Sequence, residues 1–338
     1  MGPRRDPLRD KLGPAARGRR KARCGARSTV NGAHESEFRT VILPFIVFTA
    51  IWGSTWIVIR GQLGVVPPQW SVAYRFVIAA AAMAMVARFK GESLHLGSKG
   101  VLAAVFLGFT QFCVNFDAVY LAERHITSGV VATVFALLVI PSSLLAWAFL
   151  GQRPTRRFAW SSALAVLGIA LLFLHELRAH AASASAVAAG IALTFIGMLG
   201  ASTANVLQAR PEIRRFTLFA LLAWSMAAGA LIDGAIAFAM TGPPVMDWRP
   251  VYWAGLLYLS LAASVLTFSL YYPVIRRIGP GKTAYSSVIV PIIAMGFSTW
   301  LEHYRWTSLS IVGALLALGG MAGALSRGRP AITAPDAA

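Results

Sequence analysis

Ten apolar stretches can be drawn along this chain, each about 17 to 24 residues and so close to the ~20 that cross a bilayer as α-helix. They cover 41–59, 71–87, 100–120, 128–149, 158–174, 187–207, 216–239, 251–272, 283–300 and 308–325. What separates them sets their direction. Of the 31 Lys and Arg, 25 fall on one side of the implied membrane, 5 on the other and Arg75 inside a span. The richer side holds the N-terminal tail, Arg88 to Lys99, Arg153 to Arg157, Arg210 to Arg215, Arg276 to Lys282 and Arg327 to Arg329. The poorer side holds Arg60, Arg124, Arg178, Arg249 and Arg305. The positive-inside rule makes the richer side cytoplasmic, with both termini inside and a multi-pass placement in the inner or plasma membrane.

Composition agrees, since 57% hydrophobic and 13% charged residues leave too few charges for a soluble surface, which carries about a quarter. The formal charge of +18 comes from tail and loop residues that topology already accounts for, so nucleic acid is not an expected partner; the lipid bilayer is. Residues 1–38 are rich in Arg, Gly, Ala and Pro, and lack the apolar side chains needed to build a core. They read as a disordered basic cytoplasmic tail. Cys24 and Cys113 are isolated and form no metal-binding spacing, and no cofactor is implied.

The chain also repeats. Pro141 matches Pro291 and Gln152 matches Glu302 at an offset of 150, and Thr155 matches Thr307 and Gly168 matches Gly320 at 152. The division is 39–178 and 179–326, followed by a short cytoplasmic tail at 327–338. Each copy holds five spans, an odd number, so the second enters the membrane from the opposite side. The expected fold is an all-α polytopic membrane protein, ten transmembrane helices in two inverted-topology five-helix repeats, an architecture of secondary transporters.

Particular residues carry a resemblance as well. Ile51-Trp52-Gly53-Ser54-Thr55-Trp56, Tyr74-Arg75-Phe76, the proline-centred span around Pro141 ending at Gln152, and its repeat ending at Glu302 resemble the EamA-type families of the drug/metabolite transporter superfamily. The likeness covers residues 40–325 and implies export of small metabolites such as amino acids or drugs with proton or electrochemical coupling. Glutamate is usual in the family where Gln152 stands, so any role of that carboxylate is missing from the first repeat.

Charge inside a bilayer is costly, which makes Arg75, Asp117 and Asp233 functional candidates. Arg75 and Asp117 lie at similar depth on consecutive spans: Arg75 receives a substrate carboxylate or trades partners with Asp117, or the two form a fixed structural ion pair, or Arg75 snorkels to the outer interface. Asp117 and Asp233 are the coupling candidates. Trp52, Ser54, Tyr74, Gln111, Asn115 and Asn205 are further candidates for a substrate cavity near the midplane. Pro141 and Pro291 are expected helix kinks. Gly319-x-x-x-Gly323 is a close-packing pattern, within the bundle or between two copies, which leaves monomer and homodimer both open. No nucleophile elbow, phosphate loop or zinc helix is present in the sequence. The reading is a secondary transporter exporting a small-molecule substrate by alternating access, not an enzyme. A membrane-embedded enzyme and a non-transporting receptor or scaffold are the alternatives.

Overall fold

The computed structural model describes residues 38–151, 153–179, 184–278, 283 and 286–325; the two tails, Cys24 and Gln152 lie outside them. Ten long helices follow one another: α1 Thr40–Gln62, α2 Pro68–Phe89, α3 Gly97–Ala122, α4 Ser128–Leu150, α5 Arg156–Ala179, α6 Ala184–Ala209, α7 Leu218–Thr241, α8 Pro250–Val274, α9 Ser286–Leu301 and α10 Ser308–Leu325. Eight of them are long and apolar enough to span a membrane, and α9 and α10 are shorter apolar helices. The architecture is all-helical, as a lipid-embedded chain requires, because a helix satisfies its backbone polar groups within itself. We call the end carrying Thr40 and Leu325 the terminus end and the opposite one the distal end.

The packing follows the sequence repeat. Helices α5 and α10 pair, as do α2 and α7 and also α4 and α9; α1 lies against α8 and α9 as α6 lies against α3 and α4. Helix α3 contains a π-helical segment, Gly108–Val114, and α8 contains another, Tyr258–Leu266. They start at an offset of 150, the one that relates Pro141 to Pro291. Such widened turns leave carbonyls without their usual i+4 donors and concentrate at functional sites. The hydroxyl of Ser264 uses one, donating to the Leu259 carbonyl at 2.9 Å.

The two prolines behave differently. A 3₁₀ turn, Ala136–Leu138, interrupts α4 just before Pro141, where the missing N–H breaks the ladder. Pro291 lies within a continuous α9.

Exposed apolar side chains such as Leu102, Phe149, Trp160, Leu231, Phe238 and Leu315 form the lipid-facing surface. Trp248, Trp300 and Trp306 are exposed near helix ends, where tryptophan anchors a span. Trp70, near the distal end of α2, is by contrast buried and stacks on Tyr74 with ring centroids 5.7 Å apart.

Helices α5 and α10 meet backbone to backbone. A Cβ on Gly168 would lie 2.3 Å from the Ala317 amide nitrogen, and one on Gly320 would lie 2.4 Å from that of Ala165. Gly319 by contrast has no neighbour within 4 Å, so the contact row of α10 is Gly313, Gly320 and Gly323 rather than Gly319 with Gly323. Gly168→Ala is therefore expected to cost about 1 to 3 kcal/mol by overpacking. Gly319→Ala should be neutral or slightly stabilising, by up to ~1 kcal/mol of helix propensity. Thermal unfolding of the two variants in detergent checks the difference, and equal melting temperatures would contradict it.

Candidate functional site

A cavity of about 150 Å³ lies between the two halves. Helix α1 contributes Trp52, Thr55, Trp56 and Ile59 on one face, because these positions recur at three- and four-residue steps. Helix α2 contributes Arg75, α3 contributes Gln111, Asn115 and Phe116, and α4 contributes Phe135, Ala136 and Leu138 around its 3₁₀ turn. From the second half come Ala201 and Asn205 of α6, Phe268 and Tyr271 of α8, and Ser286, Ser287, Val290 and Pro291 of α9.

Aromatic rings hold the walls. Trp52 sits edge-to-face against Phe48, Phe268 and Tyr271 at centroid distances of 5.4, 5.8 and 4.8 Å, and its indole N–H donates to the Ala263 carbonyl at 3.3 Å. Trp56 leans on Phe135 at 5.5 Å, and its indole nitrogen has no hydrogen-bond partner. Each such ring pair contributes about 0.5 to 1.5 kcal/mol beyond area burial, so the walls are stiff.

Arg75 is the cationic residue of the lining, and it is 1% exposed. Its Nε donates to Ser264 Oγ at 3.2 Å, and its guanidinium carbon lies 4.4 Å from the centre of the Phe116 ring and 5.2 Å from that of Phe76. One terminal nitrogen, Nη1, has no hydrogen-bond partner. The ion pair with Asp117 weighed from the sequence is not formed: no carboxylate lies within ion-pair distance of Arg75 among the described residues. The reason is rotational. Asp117 follows the π segment on a different face of α3 from Gln111 and Asn115, and points toward α7, where its carboxylate, Asp233 and the Cys113 thiol lie within 4.8 Å of one another.

Of the residues singled out in the sequence, Trp52, Arg75, Gln111, Asn115 and Asn205 line the cavity together with Pro291, while Ser54, Tyr74, Asp117, Asp233 and Pro141 do not. Ser54 donates to the Ile51 carbonyl at 2.8 Å and shares a 2.6 Å hydrogen bond with Tyr258. Tyr74 donates to the Val245 carbonyl at 3.1 Å, near the distal end. Among those that sequence reasoning missed, Thr55, Phe116, Phe135, Phe268, Tyr271, Ser286 and Ser287 line the cavity. Only the Tyr271-Tyr272 doublet inside an apolar span offered a signal for them.

A second polar cluster closes the distal end. Glu302, one residue beyond α9, accepts hydrogen bonds from the first amide of α4, at Ser128, at 3.2 and 3.3 Å and from the Ser128 hydroxyl at 2.6 Å. This is an anion on a helix N-terminus. Arg60 at the end of α1 lies 3.6 Å from Glu302 and donates to the backbone carbonyl of Glu123. Glu123, just past α3, is fully buried and neither of its carboxylate oxygens has a hydrogen-bond partner. Along α4, every residue from Ser128 to Val134 is buried, whereas none from Val139 to Leu150 is. The helix is enclosed along its distal half and only partly covered along the other, where Ser142 hydrogen-bonds to Ser202 of α6 at 3.1 Å.

Comparison with known proteins agrees with this architecture. The chain is 20% identical over 282 residues to the uncharacterised transporter YoaV of Bacillus subtilis, covering 83% of this chain and 95% of that one. It is 22% and 23% identical to proteins named probable amino-acid metabolite efflux pump in Salmonella typhimurium and Escherichia coli, in each case over 82% of this chain and 91% of the relative. A solved crystal structure shares the fold with a TM-score of 0.62 and 19% identity, over 83% of this chain and 95% of that one. The EamA-like transporter family matches residues 39–174 and again 188–326, one copy for each half of the helix bundle, and the chain belongs to that family.

Proposed function

We propose that the protein is a secondary transporter that exports a small carboxylate-bearing metabolite, of the amino-acid class, across the cytoplasmic membrane by alternating access, without changing it chemically. The observation that carries the substrate class is Arg75: a buried guanidinium at a cavity wall whose Nη1 has no hydrogen-bond partner and which has no acidic partner among the described residues. An unpaired cation in such a place is expensive unless water or an anion attends it. A carboxylate entering the cavity supplies that anion, and aromatic walls suit the apolar remainder of a small metabolite. Two relatives named as amino-acid metabolite efflux pumps support the class. The basic loops support cytoplasmic termini.

In this reading the distal end is the outward-facing one, and it is the end that the polar cluster holds together. Glu302, Ser128 and Arg60 tie α9, α4 and α1 together at the distal end, beyond the Arg75 end of the cavity. Ser286 and Ser287 line it near the start of α9, toward the half of α4 that is only partly covered. Rocking of the two repeats breaks the distal cluster and closes the other end, which exposes the cavity outward.

Metabolite comparison of the medium around overexpressing and deletion cells tests the substrate class. A carboxylate-bearing amine should rise outside the former and fall outside the latter, and unchanged media in both would contradict export. With the substrate in hand, Arg75→Ala should insert normally and lose about 10- to 100-fold in flux, as expected for one charge-assisted hydrogen bond. Full flux by a well-inserted variant would remove Arg75 from substrate binding.

The distal cluster makes its own prediction. Burial and the neighbouring Glu302 push the Glu123 carboxyl well above its ordinary range, against the opposing pull of Arg60. A carboxyl raised in the folded state binds its proton more tightly folded than unfolded. Its stabilising contribution is therefore full below the ordinary carboxylate value and lost as pH rises through the folded one. Glu123→Gln should remove that loss. Thermal unfolding across mildly acidic to mildly alkaline pH should show wild-type stability declining where the variant stays flat; parallel curves would contradict the assignment.

A further inference from the structure

Two aspartates from different helices share a buried contact that the transport cavity does not use. Asp233, in the middle of α7, is 0% exposed, and neither of its carboxylate oxygens has a hydrogen-bond partner. It points at α3, where Cys113 and Asp117, one turn apart, place a thiol and a second carboxylate within 4.8 Å. Asp117 is partly buried, and its Oδ1 likewise lacks a partner. No cation pairs with either aspartate among the described residues.

The contact is built rather than accidental. One turn closer to the terminus end, Gly108 and Gly229 let the two backbones touch: a Cβ on Gly108 would meet the Ser225 carbonyl at 2.5 Å, and one on Gly229 would meet Phe112 Cβ at 2.6 Å. That approach presses the following turn of each helix together, and the following turn carries Cys113 and Asp233. The fold itself does not call for these acids. At the offset of 150 the counterparts of Asp233 and Asp117 are Met83 and Thr267. In that crossing, α2 against α8, Met83 is fully buried with its sulfur 4.0 Å from Ser269 Oγ. The symmetry-related crossing is thus made with a thioether and a hydroxyl in place of the two acids.

Two carboxylates this close, one fully and one partly buried and with no counter-ion among the described residues, strongly disfavour being ionised together. The remaining ionisable groups on the elements packed around them give no relief. Helix α6 has none, α7 has none besides Asp233, α2 offers Tyr74 and Arg75 at this depth, α8 offers Tyr252 and Tyr258, and α3 adds Tyr120. Arg75 is turned to Ser264 and Phe116 instead. A hard metal cation would want six or more oxygens, which two carboxylates and a thiol do not supply. A proton needs only the two oxygens it bridges.

We propose that Asp117 and Asp233, with the Cys113 thiol beside them, form a proton-binding site in the contact between α3 and α7, which the transport cycle loads and empties. Asp117 is its entrance. It follows Asn115 and Phe116, which line the cavity, whereas Asp233 lies deeper. Phe116 also carries the Arg75 guanidinium on its ring, so a substrate that draws Arg75 away moves the side chain next to Asp117. The use of the site in coupling rests on the transporter reading; the existence of the site does not.

Infrared spectroscopy of the purified full chain in lipid nanodiscs, with isotope-labelled aspartate, tests the site without any substrate. The chain has six aspartates: Asp6, Asp10 and Asp336 in the tails, Asp247 held below the ordinary carboxylate range by hydrogen bonds from Arg249, and the pair. At neutral pH the label should show one protonated aspartyl carboxyl per chain. In Asp117→Asn and in Asp233→Asn the remaining carboxyl should give up its proton at lower pH than the pair does, because its like-charged neighbour is gone. Fully ionised aspartate in the wild type would overturn the proposal whether or not the variants fold, and so would a stoichiometric bound metal that Asp233→Asn removes. Absence of flux in every assay, with the labelled carboxyl present, would instead count against the transporter reading alone.

Discussion

The centre of this bundle is arranged around a guanidinium that has no acid to pair with among the described residues. Arg75 is buried, and its neighbours include the hydroxyls of Ser264 and Tyr120 and two phenyl rings. Cation–π contact returns part of the lost hydration, about 0.5 to 2 kcal/mol, which is less than a charge loses inside a membrane. The remaining deficit requires a polar space beside it. The cavity is that space, and the amides of Gln111, Asn115 and Asn205 with the hydroxyls of Ser286 and Ser287 continue it toward the terminus end. Stiff aromatic walls keep it from collapsing.

Symmetry accounts for the scaffold and its breaking for the chemistry. Two π segments at the same offset and matched glycine crossings between α5 and α10 belong to both halves. Arg75 has Ser225 as its counterpart at the offset of 150, Asp233 has Met83, and the 3₁₀ turn of α4 has no equivalent in α9. Groups that the packing does not need, present in one copy only, are where selection for a reaction or a ligand leaves its mark. A polar cluster that ties three helices together at the distal end, through Glu302, Ser128 and Arg60, is the kind of contact that a two-state rocking bundle makes and breaks.

The all-helical class and the presence of two related copies were legible in the sequence, because a chain in lipid must satisfy its backbone polar groups within long apolar helices or a closed barrel, and its spans are too long and evenly apolar for barrel strands, while each copy repeats its packing residues. The match of Gly168 with Gly320 turned out to be a pair of backbone contacts between the same two helices. What stayed hidden depends on rotation about helix axes. Asp117 could be placed at the depth of Arg75, but the π segment that turns it toward Asp233 has no sequence signature. Phe135 and Phe268 are ordinary apolar residues in apolar spans, so nothing marked them as cavity walls. Glu302 was visible as a repeat partner of Gln152, yet its role as the cap of α4 needed the spatial meeting of the two helices.

The central claim is that the two ends of the cavity open in alternation. Pulsed electron–electron distance measurements test it most directly, with Cys24 replaced by serine and spin labels at Arg124 and Arg305 for the distal end. A second labelled protein carries them at Phe149 and Arg277 for the terminus end; all four positions are exposed. With and without the amino acid identified by metabolite comparison, the distal distance should lengthen in the same populations in which the terminus-end distance shortens. Two distances that each stay single and unchanged while substrate crosses the membrane would contradict the account.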